Sequence, residues 1–312
     1  MRRTPALFVA AGLLLVTLSA CSSAPSANCD DAAATGAASD LISVSGKVGA
    51  TPDVSFPTPL KTTKTDRSIL TKGTGDLLQT GQAVRADVTI YNGATGELMP
   101  RSQYGAPEGT LPITIGQTVA GISKGLVCAR EGSRIAVAVS PKDGINDGAT
   151  SLVIVLDVRK AFLPRADGAP QPHQAGMPQV VFAPNGAPGI TVPKTTPPTK
   201  LKIADLKKGD GTVVKRGDAV VVQYTGVLWK NGTVFDSSWT KNGSTTMVAN
   251  DASSGASSGG VITGFADALI GQKVGSQVIA VIPPDKGYGK EGSGAIPPNA
   301  TLVFVADILG IQ

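Results

Sequence analysis

The chain repeats itself, and this feature constrains its fold more than any other. The segment Leu70-Thr-Lys-Gly-Thr-Gly matches Leu206-Lys-Lys-Gly-Asp-Gly. The match continues further along the chain, where Gly121 aligns with Gly264 and Leu152 aligns with Leu302. The offset between aligned residues increases before each of these two pairs. Gap-free blocks joined by two changes of length indicate one fold used twice, with different loops. We therefore predict two similar domains within the 312 residues, each within the usual range of roughly 100–200 residues.

Composition marks the boundaries of the two copies. Residues 163–194 are rich in proline and glycine, a composition that resists regular structure and predicts an inter-domain linker. Residues 21–40 are mostly small or acidic and predict a flexible tether. The predicted domains are then 41–162 and 195–312. The proline-rich stretches that precede the copies also correspond, so each copy is expected to begin before its first strand.

The second copy has the pattern of a sheet with one short helix. Alternate positions along 220–227 separate into two faces, and further β-rich runs follow. Phe265, Ala268 and Leu269 lie at i, i+3 and i+4, which predicts a short helix over 265–270 with one apolar stripe. Several antiparallel strands and one helix predict an α+β domain, in which the helix covers one face of the sheet.

The N-terminus has the pattern of an export signal. Two arginines precede a short apolar run over 6–18, which ends in Leu18-Ser-Ala-Cys. The run is shorter than the roughly 20 residues that a membrane-spanning helix needs. Leu-Ser-Ala-Cys resembles the lipobox of bacterial lipoproteins, which implies a signal peptide over 1–20 and a lipid on Cys21. The alternative is a simple signal peptide with a chance cysteine. We expect an extracytoplasmic lipoprotein, anchored to the cell membrane by this lipid.

Export changes what is expected of the other cysteines. With Cys21 lipidated, Cys29 and Cys128 remain in an oxidising compartment, where an even count permits a disulfide. Such a bridge would tie the N-terminal segment to the first domain. The alternative is two free thiols, one of them buried.

Charge and composition exclude several classes of partner and cofactor. Charged residues make up 16% of the chain, and the formal net charge of +5 becomes +3 once Arg2 and Arg3 are removed. No run of basic residues is present, so we expect no nucleic-acid partner. One histidine and three cysteines argue against a His/Cys zinc site.

The motifs of the second copy resemble the FKBP-type peptidyl-prolyl isomerase family, and they occur in the family's order. The whole chain is similar to actinobacterial exported FKBP-type lipoproteins. The resemblance implies a curved antiparallel sheet wrapped around a short α-helix, and peptidyl-prolyl cis-trans isomerase (rotamase) activity. The matching segments are Val221-Val-Gln-Tyr-Thr-Gly, Gly232-Thr-Val-Phe-Asp-Ser-Ser, Val261-Ile-Thr-Gly-Phe, Pro284-Asp-Lys-Gly-Tyr-Gly and Ile296-Pro-Pro-Asn-Ala-Thr-Leu-Val-Phe.

The resemblance also implies roles for individual residues. The backbone N–H of Ile262 and the hydroxyl of Tyr288 would hold substrate carbonyls. Asp236 would sit beside the rotating carbonyl, with Tyr224 as its hydrogen-bond partner. These four are the expected catalytic residues. The expected substrate-binding residues are Phe235, Val261, Phe265, Ile296 and Phe304.

Two positions depart from the family's pattern. Phe265 stands where many members have tryptophan, so the floor of the pocket is smaller. Lys241 stands where an arginine often partners the aspartate, which keeps the charge but loses the bidentate fork. The expected ligands are proline-containing exported polypeptides and macrocyclic FKBP ligands.

The implied reaction fits a site of this kind. Rotation about a peptide bond meets a barrier of about 18–20 kcal/mol, because it destroys amide resonance. No covalent bond breaks, so the reaction requires neither a cofactor nor a metal. A dry aromatic cleft favours the twisted amide, because it removes water that stabilises the more dipolar planar form.

Each candidate residue taken alone has a simpler interpretation. Phe235, Phe265 and Phe304 are individually typical of a core. Tyr224 is also compatible with a half-buried strand position, and Asp236 beside two serines is compatible with a turn. Only the ordered set predicts a site.

The first copy lacks these groups. Apolar residues or proline stand at the aligned positions, and no side-chain hydroxyl or carboxylate of the site remains. We predict a degenerate, inactive FKBP-like domain that serves spacing, client binding or stability. The substituted residues are Val88 for Tyr224, Met99 for Phe235, Pro100 for Asp236, Ile122 for Phe265, Ile145 for Tyr288 and Ile154 for Phe304.

The sequence leaves two functional hypotheses. The first is a lipid-anchored prolyl isomerase that assists folding of exported proteins. The alternative is a chaperone or adaptor that binds apolar or proline-containing segments with little catalysis.

Overall fold

The computed structural model describes residues 28–145, 148, 150–251 and 260–312. The predicted signal peptide and the lipidation site Cys21 lie outside the described residues. Within those ranges, no helix is both long enough and apolar enough to cross a membrane.

The first half of the chain forms a six-stranded antiparallel sheet and a separate two-stranded hairpin. The strands of the sheet run in the order β3-β7-β8-β4-β5, and β6 pairs with β4. The elements are α1 (Ala37–Asp40), β1 (Ser43–Ser45), β2 (Asp53–Ser55), β3 (Asp66–Thr71), β4 (Ala83–Asn92), β5 (Leu98–Arg101), β6 (Leu111–Thr114), α2 (Ala120–Leu126), β7 (Arg134–Val139) and β8 (Leu152–Ala161).

The second half repeats this arrangement. Its eight-stranded sheet runs in the order β16-β15-β13-β18-β17-β12-β9, and β14 pairs with β13. The elements are β9 (Ala169–Pro170), β10 (Gln179–Phe182), β11 (Pro188–Thr191), β12 (Lys202–Lys208), β13 (Ala219–Leu228), β14 (Val234–Ser237), β15 (Thr245–Asp251), β16 (Gly260–Val261), α3 (Thr263–Leu269), β17 (Gln277–Ile282) and β18 (Leu302–Ile311).

Four adjacent strands have the same order in both sheets: β12, β17, β18 and β13 take the places of β3, β7, β8 and β4. The pairs within each sheet are antiparallel, except for the parallel pair of β15 and β16. The prediction of an α+β fold with antiparallel sheets is confirmed. The predicted helix over 265–270 is α3, which begins two residues earlier and ends at Leu269.

One face of each sheet packs against the short helix. In the second unit the buried helix residues Phe265, Ala268 and Leu269 pack with side chains of β13, β17 and β18. In the first unit Ile122 and Leu126 of α2 pack in the same way. The apolar stripe at i, i+3 and i+4 is the cause, because it gives a seven-residue helix one buried side.

The opposite face of each sheet is covered by a hairpin. The hairpin β1–β2 packs over Ala136, Ala138 and Val153, and the hairpin β10–β11 packs near Trp229 and Val303. The two hairpins have the same register in the repeat. Val44 pairs with Val54, and the residues aligned with them, Val180 and Ile190, also pair with each other. The structural repeat therefore includes the stretch that precedes each sheet.

The expectation that residues 163–194 resist regular structure is wrong. They form β9, β10 and β11, and β9 pairs with β12. The physical reason is burial: Met177 is buried against the outer face of the sheet, and Val180 and Ile190 pack beside it. Burial of apolar side chains offsets the conformational cost that proline and glycine composition suggests.

The expected tether is ordered against the first unit where the structure describes it. Cys29 and Cys128 form a disulfide, with Cα atoms 5.7 Å apart. Ala34 forms a bridge with Asp66, and α1 follows at once. Residues 28–40 are therefore joined to the first unit by a disulfide and a β-bridge, contacts that their composition does not indicate.

A buried ion pair fastens the first hairpin to its sheet. The guanidinium of Arg134 donates from Nε and Nη2 to the two carboxylate oxygens of Asp157, each at 2.6 Å. The same guanidinium donates to backbone carbonyls of residues 45–50. These hydrogen bonds satisfy both charges inside the protein, which a buried pair requires.

Candidate active site

A cleft of about 580 Å³ opens between the sheet and α3 of the second unit. The nine residues that the sequence assigned to a cleft all line it, and their roles remain predictions. Lys241, Met247 and Ser293 line it as well. The nine residues are Tyr224, Phe235, Asp236, Val261, Ile262, Phe265, Tyr288, Ile296 and Phe304.

Four aromatic rings form the apolar part of the cleft. The ring centroids of Phe265 and Phe304 are 4.7 Å apart, and those of Phe235 and Phe304 are 5.4 Å apart in an edge-to-face arrangement. The ring of Tyr224 lies 6.0 Å from Phe265. Phe265 and Phe304 are buried, whereas Phe235 is half-buried and lies closer to solvent. The cluster therefore gives the cleft an apolar floor that is largely shielded from water.

Strand pairing explains why these side chains converge. Tyr224 and Gly226 lie on the same face of β13, two residues apart. Gly226 pairs with Phe304 on one side and with Asp236 on the other. A β-carbon on Gly226 would lie 2.5 Å from Cζ of Phe235, and 2.9 Å from Cε1 of Phe304. The absence of a side chain at this position therefore makes room for the rings.

The carboxylate of Asp236 is held by two donors. The hydroxyl of Tyr224 donates to Oδ2 at 2.5 Å, and the ammonium of Lys241 donates to Oδ1 at 2.5 Å. Burial would raise the pKa of Asp236, but the hydrogen bonds from Lys241 and Tyr224 outweigh it and hold the pKa below its ordinary value. Asp236 is therefore an anion at neutral pH inside an aromatic cleft.

The two tyrosines keep their protons throughout the physiological range. Burial, and then the hydrogen bond to Asp236, raise the pKa of Tyr224. Burial and the nearby Asp236 charge also raise the pKa of Tyr288. Tyr288 is 38% exposed, so its hydroxyl is a donor that an entering peptide can reach.

Sequence reasoning missed two supports of the site. The hydroxyl of Ser238 accepts a hydrogen bond from the backbone N–H of Tyr224 at 3.0 Å, which fixes β14 on β13. In the first copy the backbone N–H of Val88 donates to the hydroxyl of Ser102 in the same way, at 2.9 Å. The serine is therefore present at this position in both copies, and the alignment of the copies could have identified it. Gly226 is the second missed residue. The sequence could have indicated it, because the first copy has Ile90 at the aligned position, where the second copy has glycine.

The described part of the first unit holds no comparable constellation of side chains. The aligned residues Val88, Ile122 and Ile154 are buried in its core, and Met99 and Ile145 pack against them. Ile90 stands at the place of Gly226 and is also buried. Aliphatic side chains therefore occupy the volume that the aromatic cleft takes in the second unit.

Comparisons with known proteins identify the family. The family model described as "FKBP-type peptidyl-prolyl cis-trans isomerase" matches residues 211–309. A "Probable FK506-binding protein" of Corynebacterium glutamicum is 35% identical over 122 residues, which are 39% of this chain and 96% of that protein. An "FK506-binding protein" of Streptomyces anulatus is 34% identical over 126 residues, 40% of this chain and 96% of that protein. The crystal structure of FkpA from Escherichia coli matches with 31% identity and a TM-score of 0.33, over 45% of this chain and 53% of that chain.

The chain belongs to the FKBP-type peptidyl-prolyl cis-trans isomerase family, since it covers 96% of each of two relatives, to which it is 35% and 34% identical. The family match lies within the unit that carries the cleft.

Proposed function

We propose that the second unit catalyses cis–trans rotation about X–Pro bonds in the aromatic cleft. The observation that carries this proposal is a carboxylate, fixed by Tyr224 and Lys241, at a cleft floored by aromatic rings. The rings would take the prolyl side chain and exclude water from the amide. A desolvated amide loses solvent stabilisation of its planar dipolar form, which lowers the barrier to rotation.

Three polar groups would orient the twisted amide. The backbone N–H of Ile262, just before α3, would hold a substrate carbonyl, and the hydroxyl of Tyr288 would hold another. Asp236 would lie beside the rotating carbonyl, where its negative charge disfavours the fully conjugated amide oxygen. None of these groups forms or breaks a covalent bond.

We propose that the first unit is catalytically inactive. Pro100 stands where Asp236 would be, so the charge is missing, and Ile90 fills the place of Gly226. Its contribution would lie in binding or support, not in turnover.

We propose an exported, lipid-anchored protein whose substrates are exported polypeptides that contain proline. Support comes from the signal pattern over 1–20, from the lipobox-like Cys21 and from the Cys29–Cys128 disulfide, because disulfides persist mainly in oxidising compartments. Mass spectrometry of the mature N-terminus tests this: a lipid-modified Cys21 is expected, and an unmodified residue 21 would refute it.

We also propose that macrocyclic FKBP ligands bind the cleft. Both actinobacterial relatives carry FK506 binding in their names. The smaller ring of Phe265 and the single-point contact of Lys241 predict weaker binding than a tryptophan and an arginine would give. Competition between a macrocycle and an X–Pro peptide tests this.

Exchange spectroscopy on a short X–Pro peptide tests the catalytic proposal in the full chain. The uncatalysed exchange takes about 10–100 s, so catalysis is readily seen. Asp236→Asn, which keeps the size and removes the charge, is expected to lower the exchange rate at least tenfold. Pro100→Ala, at the aligned position of the first unit, is the matched control and should leave the rate unchanged.

The outcomes separate the two functional hypotheses. Exchange that the wild-type chain accelerates and that Asp236→Asn slows would favour the prolyl isomerase. Peptide binding to the full chain without faster exchange would favour the chaperone or adaptor function.

A further inference from the structure

The two units share a small apolar contact. Ala83 and Phe162 of the first unit are buried with Val221 and Leu309 of the second. The backbone N–H of Leu163 donates to the carbonyl of Leu309 at 3.1 Å. This contact places the turn around Gly81 next to residues 241–244 of the second unit.

Residues 241–244 depend on the first unit for their hydrogen bonds. Ser244 is fully buried. Its N–H and its hydroxyl both donate to the carbonyl of Gly81, at 2.9 Å and 3.1 Å. Its own carbonyl accepts a hydrogen bond from the hydroxyl of Thr114 at 3.2 Å. Three buried polar groups in the second unit are thus satisfied by the first, and each would cost free energy if left unpaired.

The contact extends to the residue that partners the catalytic carboxylate. The side-chain amide of Gln117 donates to the backbone carbonyl of Lys241 at 2.8 Å. The ammonium of the same lysine donates to Asp236 at 2.5 Å. The Lys241 side chain is 64% exposed, so its surroundings in the second unit confine it little. An exposed lysine loses much side-chain entropy when it is held in one geometry, and a fixed backbone lowers that cost.

We propose that the degenerate first unit is a positioning element for the active site: through Gly81, Thr114 and Gln117 it holds residues 241–244 and thereby keeps Lys241 on Asp236. Thr114 and Gln117 are positioning residues, since they act through Lys241 and do not touch substrate. The inference rests on the proposed role of Asp236 in catalysis.

A purely structural contact would stabilise the protein without affecting Asp236. The titration of Asp236 distinguishes the two cases, because Lys241 is one of the groups that lower its pKa. The other titratable groups that face this carboxylate are Tyr224 and Tyr288, which are neutral at the pH concerned. A loosened Lys241 would therefore raise the pKa of Asp236.

The test uses the full chain with Thr114→Val and Gln117→Ala combined, which leaves the sequence of the second unit unchanged. The matched control combines Thr62→Val and Gln171→Ala. In the control each side chain also donates to a backbone carbonyl, Thr62 to Lys64 and Gln171 to Ala169, but neither contacts residues 241–244. The readouts are the Asp236 carboxyl resonance against pH and kcat/KM for an X–Pro peptide.

We expect the paired variant to raise the pKa of Asp236 and to lower kcat/KM about threefold, the modest effect expected when an ion pair of an exposed lysine is loosened. The control should change neither. In a Lys241→Met background, the same pair of substitutions should have no further effect on the pKa.

An unchanged pKa in the paired variant would overturn the inference, and so would an equal change in the Lys241→Met background. If the wild-type chain fails to catalyse exchange, the proposed function is wrong, but the titration of Asp236 still decides whether the first unit holds Lys241.

Discussion

Gly226 should be a sensitive position for activity, although it carries no functional group. It lies in β13, two residues before the end of the strand, and pairs with both Asp236 and Phe304. A methyl group there would lie 2.5 Å from Cζ of Phe235 and 2.9 Å from Cε1 of Phe304. Ordinary van der Waals contact begins at 3.4 Å, so the Phe235 ring must move by roughly 1 Å.

The structure sets the expected size of the effect of Gly226→Ala. Overpacking of this kind costs about 1–3 kcal/mol of stability. A displacement of about 1 Å in a substrate-positioning group can lower turnover by about 100-fold. We therefore expect kcat/KM for an X–Pro peptide to fall by roughly tenfold to 100-fold, with a modest decrease in the urea midpoint.

A second variant shows whether the ring is the cause. Phe235→Leu removes the atom at 2.5 Å, so Gly226→Ala should destabilise the Phe235→Leu protein less than the wild type. If Gly226→Ala keeps kcat/KM within twofold of the wild type, the steric reasoning is wrong. Equal destabilisation in both backgrounds would also refute it.

Three further predictions concern pH and stability. The pKa of Asp236 is held below its ordinary value of about 3.9. We therefore expect kcat/KM to be constant through weakly acid pH and to fall only below that value. The stability that this carboxylate contributes should likewise be lost only as the pH falls through its lowered pKa. Cys29→Ser should destabilise the first unit by about 4–5 kcal/mol, because the bridge to Cys128 closes a long loop; thermal unfolding of that variant measures it. Arg134→Met should cost about 3–5 kcal/mol, because it leaves the buried charge of Asp157 without its counter-ion, with only the backbone N–H of Gly49 still donating to it; urea unfolding measures that loss.

Each of these predictions has a contrary outcome. An activity that declines already near pH 6 would contradict the electrostatic account of Asp236. Two reactive thiols in the oxidised protein would contradict the disulfide. For the ion pair, the control variant is Gln277→Met. Gln277 takes the place of Arg134 in the second sheet, and its uncharged side-chain amide donates a hydrogen bond to Asp307. An equal loss of stability in both variants would show that the ionic contact has no special weight.

Much of the fold could be predicted from the repeat. The shared blocks indicated two units of one class, and the apolar stripe of Phe265, Ala268 and Leu269 located α3. The cleft residues also came from the sequence, through motifs that resemble the FKBP-type family and occur in the family's order. The strands β12, β17, β18 and β13 follow the same order in the second sheet as β3, β7, β8 and β4 in the first, as one fold used twice requires.

Composition was misleading outside the sheets. Residues 28–40 and 163–194 lack long apolar runs, and their proline, glycine and small residues indicated a tether and a linker. In residues 163–194 a few apolar side chains favour regular structure, because Met177, Val180 and Ile190 pack against one face of the second sheet. Sequence patterns within a segment do not report on surfaces that distant strands provide.

By itself, the sequence determined the class of the fold and its duplication, since these follow from periodicity and from the alignment of one copy with the other, and its resemblance to the FKBP-type family identified the cleft residues. Only the tertiary structure shows which residues of the two copies contact each other. The contacts of Gln117 with Lys241 and of Gly81 with Ser244 join residues that are far apart in the chain, and no local pattern encodes them. The physical reason is that Ser244 and its neighbours are polar groups whose hydrogen bonds are completed only when the two units pack together.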